Sequence, residues 1–379
     1  MKKKKSLGRR VLGGGVTLVL LIAVVLCAVY ISLNWDELKS YAPAFLVRLT
    51  GGAEDETGGK FGYEAYSDNV YSGLNDGLAV ASGVGAEVFD RDGNLINRFS
   101  FDCPSPIMSP GKKNMAVWSV GGEEICLIDG KGKECYIKTT GLVSVSVNNS
   151  GWVSAVSGEQ GYKGCVTIYD NKGQSVYKVY LGSGYPIDAD VSPYSDSVAV
   201  LSLTENGSRL SVYSLDSEEE EYSWTSPGEV YFDAEYITDN RICLVSEDSV
   251  DFLDGGCAQV GSFKYTGEYL KDYTADGGYM ALALGKYKTG NQGRIITLDT
   301  AGNQAASLDI SREIVNLYAE TDGRYLSAVY SDCAVIYTKD LTETGRVEDK
   351  AGIKAAVVRG DGSAIIISGY GANVYEPEK

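Results

Sequence analysis

Histidine is absent from all 379 residues. Imidazole acid–base catalysis, Ser-His-Asp and Cys-His arrangements and His-ligated metals are therefore excluded together. Eight cysteines occur, but none with CxxC spacing and no two adjacent. Seven of them (Cys103, Cys126, Cys135, Cys165, Cys243, Cys257 and Cys333) lie scattered through the body, a poor disulfide framework. Cys126 and Cys135 alone would face each other, if the turn between them centres on Gly130-Lys131. No Walker loop or GxGxxG follows a strand-like run. The run Asp90 to Asn94 begins like a calcium loop, but Leu95 stands where that loop needs glycine. The Ser-x-Asp-x-Gly-x-x-Trp box of sialidases is missing too. Pairs such as Asp188/Asp190 and Glu123/Glu124 carry little meaning among 51 acids. No catalytic, cofactor-binding or metal-ligating residue is assigned.

Acids are also missing from the first ten positions, where six basic residues gather (Lys2 to Lys5, Arg9 and Arg10). The remainder carries 28 basic against 51 acidic residues, a net of −23. Such a body repels phosphate backbones, which argues against nucleic-acid binding.

A 23-residue run without charge, Val11 to Leu33, follows the basic cluster. As a helix it measures about 34 Å, enough to span a bilayer core with some tilt. Tyr30 and Trp35 sit at its far end, where amphipathic rings favour the membrane interface. The run is too long for a cleavable signal peptide and lacks small residues at its end. It predicts a signal-anchor with residues 1–10 cytoplasmic and the large C-terminal part outside the cell membrane. Residues 34–60 read as a juxtamembrane piece and a linker, ending in the Gly-rich stretch 51–60, where Ala53 is the one apolar side chain. That stretch has a reach of about 17 Å.

Self-comparison carries the fold of residues 61–379. A turn rich in Gly, Asp, Asn or Ser leads repeatedly into a short apolar run, as in NDGLAVAS (75–82), SPYSDSVAVLS (192–202) and GDGSAIIIS (360–368). Behind each trails an apolar strand ending in an acid and a turn, as in YDNKG and LDTAG. The acids are Asp90, Asp129, Asp170, Asp216, Asp254, Asp299, Asp340 and Glu376, spaced 39, 41, 46, 38, 45, 41 and 36 apart. Eight copies of four strands result, with the second and third strands apolar on both faces and the fourth more polar. Sheets of that kind need cover on both sides, and radial repetition supplies it. The expectation is all-β: an eight-bladed β-propeller, with seven blades as the alternative, preceded by one transmembrane helix. The last copy stops after three strands, and FGYEAY (61–66) is the right size to complete it.

Loops between second and third strands are long in three copies (158–164, 204–208 and 285–293), and they share a face with inter-blade loops such as 182–187. Function concentrates on loops held by a rigid scaffold. The candidate ligand-binding residues are Tyr162, Lys163, Tyr185, Tyr287, Lys288 and Asn291.

The repeated Asp-x-x-Gly turn after an apolar strand resembles the quinoprotein-like and WD40-like propeller superfamilies. The whole layout looks like an uncharacterised family of membrane-anchored propellers from Gram-positive bacteria. The repeats depart from those superfamilies in lacking the docking Trp and the Gly-His and Trp-Asp signatures, so no functional residue carries over. The resemblance implies no activity, and the expectation is a non-enzymatic binding or scaffolding module at the cell envelope that recognises an envelope protein or glycan through one propeller face. Alternatives are a propeller enzyme (quinone-cofactor dehydrogenase or glycan-acting) and an extracytoplasmic sensor acting through a membrane partner.

Overall fold

The computed structural model describes residues 60–348, 352–369 and 371–377. These residues form eight antiparallel four-stranded sheets and no helix. The charge-free run at 11–33 lies outside them. Among the described residues no helix is long and apolar enough to cross a membrane.

Blades are numbered along the chain. Their first strands are β2 (Val70–Leu74), β6 (Ile107–Pro110), β10 (Leu142–Val147), β14 (Tyr185–Val191), β18 (Tyr231–Thr238), β22 (Tyr269–Asp276), β26 (Ile314–Ala319) and β30 (Ile353–Val358). Each touches the first strand of the next blade, and β30 touches β2, so these strands surround a common axis. Eight blades are present, and the seven-blade alternative falls.

The two-faced apolar pattern has a direct cause. The buried side chains sort into eight clusters, and each cluster lies between two neighbouring blades. In blade 4, Val198 and Val200 face blade 3, whereas Ala199 and Leu201 face blade 5. A strand covered on both sides cannot alternate with polar residues. The fourth strands, as in Gln259–Lys264 and Glu343–Glu348, alternate exposed with half-buried positions, as outer strands do.

Closure joins the two ends of the domain. β1 (Lys60–Phe61) pairs with β32 (Ala372–Tyr375) and completes blade 8. The pairing is shorter than the six residues FGYEAY suggest: two residues form the ladder. Tyr63 then fills the seam, fully buried, with its hydroxyl donating to the carbonyl of Ser368.

The acid repeat has a local explanation. Asp90, Asp129, Asp170, Asp254 and Asp299 each accept, through Oδ1, the backbone N–H groups two and four residues ahead, at 2.8–3.0 Å. A side chain that mimics a turn in this way sets the tight connection to the fourth strand. Two blades need a corrected register. In blade 7 the position belongs to Thr338, whose hydroxyl accepts the N–H of Thr342, and not to Asp340. In blade 4 it belongs to Ser214, which accepts from Asp216.

All seven cysteines of the described body are unpaired. Between Glu124–Asp129 and Glu134–Lys138 the register sets Cys126 opposite Tyr136 and Cys135 opposite Leu127. A one-residue offset turns the two thiols to opposite faces of the blade, so they cannot bridge.

Candidate binding face and axial acids

Tyr162 and Lys163 stand on the loop that ends at Gly164, and Tyr185 opens β14. Lys163 Nζ donates to the Tyr185 hydroxyl at 2.9 Å and lies 4.6 Å from the ring centre. That bond raises the Lys163 pKa. The Tyr162 ring packs at 4.8 Å on Tyr180, which Lys178 also covers at 4.8 Å. Lys178 in turn pairs with Glu159 at 2.9 Å. Blades 3 and 4 thus carry one ordered patch in which three tyrosines are about half exposed.

Tyr287, Lys288 and Asn291 belong to blade 6 and form a second patch. Lys288 lies 5.8 Å from the ring centre of Tyr269, and its carbonyl accepts from Lys271 Nζ. Lys286 covers Tyr287. Asn291 is exposed. No hydrogen bond, ion pair or aromatic contact among the described residues joins this set to the first. The six candidates occupy two patches, with blade 5 between them.

Sequence reasoning missed what separates the patches from the axis. Six first strands carry a β-bulge at one equivalent position, where the ladder skips a residue: Val143, Ile187, Phe232, Lys271, Val315 and Lys354. A bulge re-aims its extra residue out of the ladder. Val143, Phe232 and Val315 are accordingly 41%, 46% and 50% exposed, although they belong to the innermost strands. They lie near the beginning of those strands, on the face that also carries the loops between second and third strands. Four of the six are apolar (Val143, Ile187, Phe232 and Val315) and two are exposed lysines (Lys271 and Lys354), so blades 3 to 8 carry a largely apolar rim on that face. The only trace in the sequence is a break in alternation just before a recurring polar residue.

Behind the rim come carboxylates, all from blades 4 to 6. Asp188 Oδ2 accepts the N–H of Ala234 at 3.0 Å, and Asp190 Oδ2 that of Tyr236 at 2.8 Å. Asp272 Oδ2 accepts the N–H of Leu317 at 2.6 Å. Tyr273 donates its hydroxyl to Asp233 at 2.7 Å. Asp188, Asp190 and Asp272 thus satisfy backbone donors on the inner edge of the following blade. Burial, followed by repulsion from Asp233, holds Asp188 well above the usual carboxylate range. Burial raises Glu235 in the same way and pushes Asp190 up to about 7. No ion pair among the described residues reaches Asp188, Asp190, Asp233 or Glu235. The pair Asp188/Asp190, unremarkable in the sequence, is therefore part of the scaffold.

The opposite end of the axis is laced by turns. Lys112 of blade 2 pairs with Asp322 of blade 7 at 2.9 Å, across the cavity of about 390 Å³ that both line. Its N–H donates to Asn149 of blade 3 at 3.2 Å. Asp276 stands on the same cavity, with burial raising its pKa to about 6.

With this geometry in place, comparison with known proteins adds a family and a fold. Residues 56–368 match a family of unknown function, DUF5711. The chain belongs to that family. No curated protein matches it. Among solved structures it is similar to the C-terminal WD40 domain of Sif2, with a TM-score of 0.59 at 12% identity over 84% of this chain and 99% of that one. It is also similar to BamB from Moraxella catarrhalis, with a TM-score of 0.50 at 10% identity over 84% and 100% of the two chains. At such identities the likeness extends to the propeller fold alone.

Proposed function

We propose that this member of the family is a non-enzymatic binding module at the cell envelope that docks a protein on the rim face of its propeller. Bulged apolar side chains on the innermost strands carry the reading: Val143, Phe232 and Val315 are exposed where the blades converge, and nothing in the blades needs them there. The tyrosines at 162, 180, 185 and 269, exposed on blades 3, 4 and 6, add large, amphipathic contact area on the same side. The uncharged run 11–33, with basic residues before it, supports anchoring in the cell membrane with the propeller outside.

Photo-crosslinking tests the face. A benzophenone amino acid at position 232 or 185 in intact cells should give one discrete protein adduct. The same group at Val176, an exposed position on an outer strand, should give none. Equal yields from 176 and 232 would sink the reading. Protease added outside intact cells should degrade the propeller, and protection would overturn the orientation.

A further inference from the structure

The rim and the acids behind it differ in character around the ring, and the difference points to the chemistry of the partner. The residues that follow the bulges run Ser144, Asp188, Asp233, Asp272, Asn316 and Ala355 from blade 3 to blade 8. Three consecutive blades therefore present carboxylates directly after their bulge residues Ile187, Phe232 and Lys271, whereas blades 3, 7 and 8 place Ser144, Asn316 and Ala355 there and blade 8 adds the exposed cation Lys354. Lys271, the bulge residue directly before Asp272, gives its Nζ to the carbonyl of Lys288 and forms no ion pair among the described residues. Asp233 and Glu235 keep part of their surface exposed although their strand is covered on both faces, so that exposure lies toward the axis. Burial and the repulsion from Asp233 disfavour the ionised form of Glu235, and an arriving cation restores it.

Resting on the docking face proposed above, we infer that the partner presents a lysine or arginine flanked by apolar residues. The apolar flanks seat on Val143, Phe232 and Val315, and the cation faces Asp233 and Glu235. Charge complementarity supports this occupant. Outside its first ten residues the chain has a net charge of −23, which favours a basic segment over an acidic one and speeds its encounter. A neutral glycan would use the rim and the tyrosines and leave the acids uncompensated. A second copy of this chain would bring more negative charge to the same place.

The test uses the immobilised full-length chain and four heptapeptide pools with randomised flanks. The fixed central residue is lysine, arginine, glutamine or glutamate. The lysine and arginine pools should be retained about tenfold above the glutamine pool, and the glutamate pool should fall below it. Glu235→Gln, alone and with Asp233→Asn, should bring the lysine and arginine pools down to the glutamine level. Both substitutions keep side-chain shape, and an unchanged or higher melting temperature will show that the blades are intact. Phe232→Ser should lower every pool. Parity of the lysine, arginine and glutamine pools, or a preference that survives the double variant, overturns the inference. If parity is found while Phe232→Ser still lowers retention, the docking face stands and the basic partner falls. If Phe232→Ser changes nothing, the docking face itself falls. Self-association that Phe232→Ser abolishes would assign the rim to a second copy and overturn the inference as well.

Discussion

Asp190 of blade 4 accepts the backbone N–H of Tyr236 in blade 5 at 2.8 Å, so a carboxylate of one blade caps the inner edge of the next. Asp188 does the same for Ala234 two residues earlier, and Asp272 for Leu317 one blade further on. An innermost strand has no partner on its axial side, and these acids satisfy donors that would otherwise stay unpaired.

This arrangement makes stability depend on pH. The Asp190 pKa is raised to about 7, above its ordinary value of 3.8, and Asp233 and Asp276 are the charged neighbours that add to the effect of burial. A raised folded-state value means that the folded protein holds its proton more tightly. The associated stability is fully present below the ordinary carboxylate range and is lost as pH rises through 7. Thermal stability should therefore fall between pH 5.5 and about 7.5 and level off above it, by on the order of 1–2 kcal/mol for this one group. Asp190→Asn keeps an acceptor for Tyr236 and should flatten part of that slope. An identical pH profile in the variant would contradict the assignment.

Ring closure depends on few residues. Phe61 packs on Phe89 at 5.0 Å between rings, and Tyr63 is 1% exposed beneath the seam of blades 8 and 1. Tyr63→Ala should cost about 3–5 kcal/mol, the range for a buried aromatic truncated to alanine. The same change at Tyr66, which is 45% exposed, should cost little. Equilibrium urea unfolding of both variants gives the comparison.

The turns ahead of the fourth strands share one left-handed position. Gly93, Gly132, Gly173 and Gly302 hold it at φ between 72° and 83°, whereas Cys257 and Leu341 hold it at 63° and 59°. Gly302→Ala should lose about 1–2 kcal/mol from the backbone alone, and its Cβ would come 2.8 Å from Phe252 Cδ2. Cys257→Gly should be nearly neutral, because relief of the backbone offsets the loss of a small buried side chain. Denaturant midpoints of the two variants should move very differently.

Cys126 and Cys135 should both react with a thiol reagent after denaturation without reductant, because their register faces them apart. Peptide mass analysis showing a bridge between them would mean that the hairpin is paired one residue differently.

Much of the fold was legible along the chain. Eight recurrences of an apolar strand ending near an acid identified the blades, although only five of those acids hold the turn, and the polar fourth strands identified the outside. The register was less legible where the turn acceptor changes type. Asp340 resembles the other acids, yet Thr338 makes the bond, because a hydroxyl at the start of the turn serves the same N–H. Of the candidate residues, Lys163 and Tyr185 do meet, since a long loop and the next strand start on one face. Tyr287 and Lys288 belong elsewhere, because sharing a face does not mean sharing a neighbourhood on a ring of eight.

The amino-acid order alone determined an all-β ring of repeated sheets, each needing cover on both faces, because strands without a polar side cannot stop at one layer, and the structure decided eight blades over seven. Tertiary structure alone decided the apolar rim, the capping role of Asp188 and Asp190, and the separation of Cys126 from Cys135. Those features turn on single-residue shifts of register and on partners some 45 residues apart, and a one-residue shift exchanges the faces of every side chain beyond it.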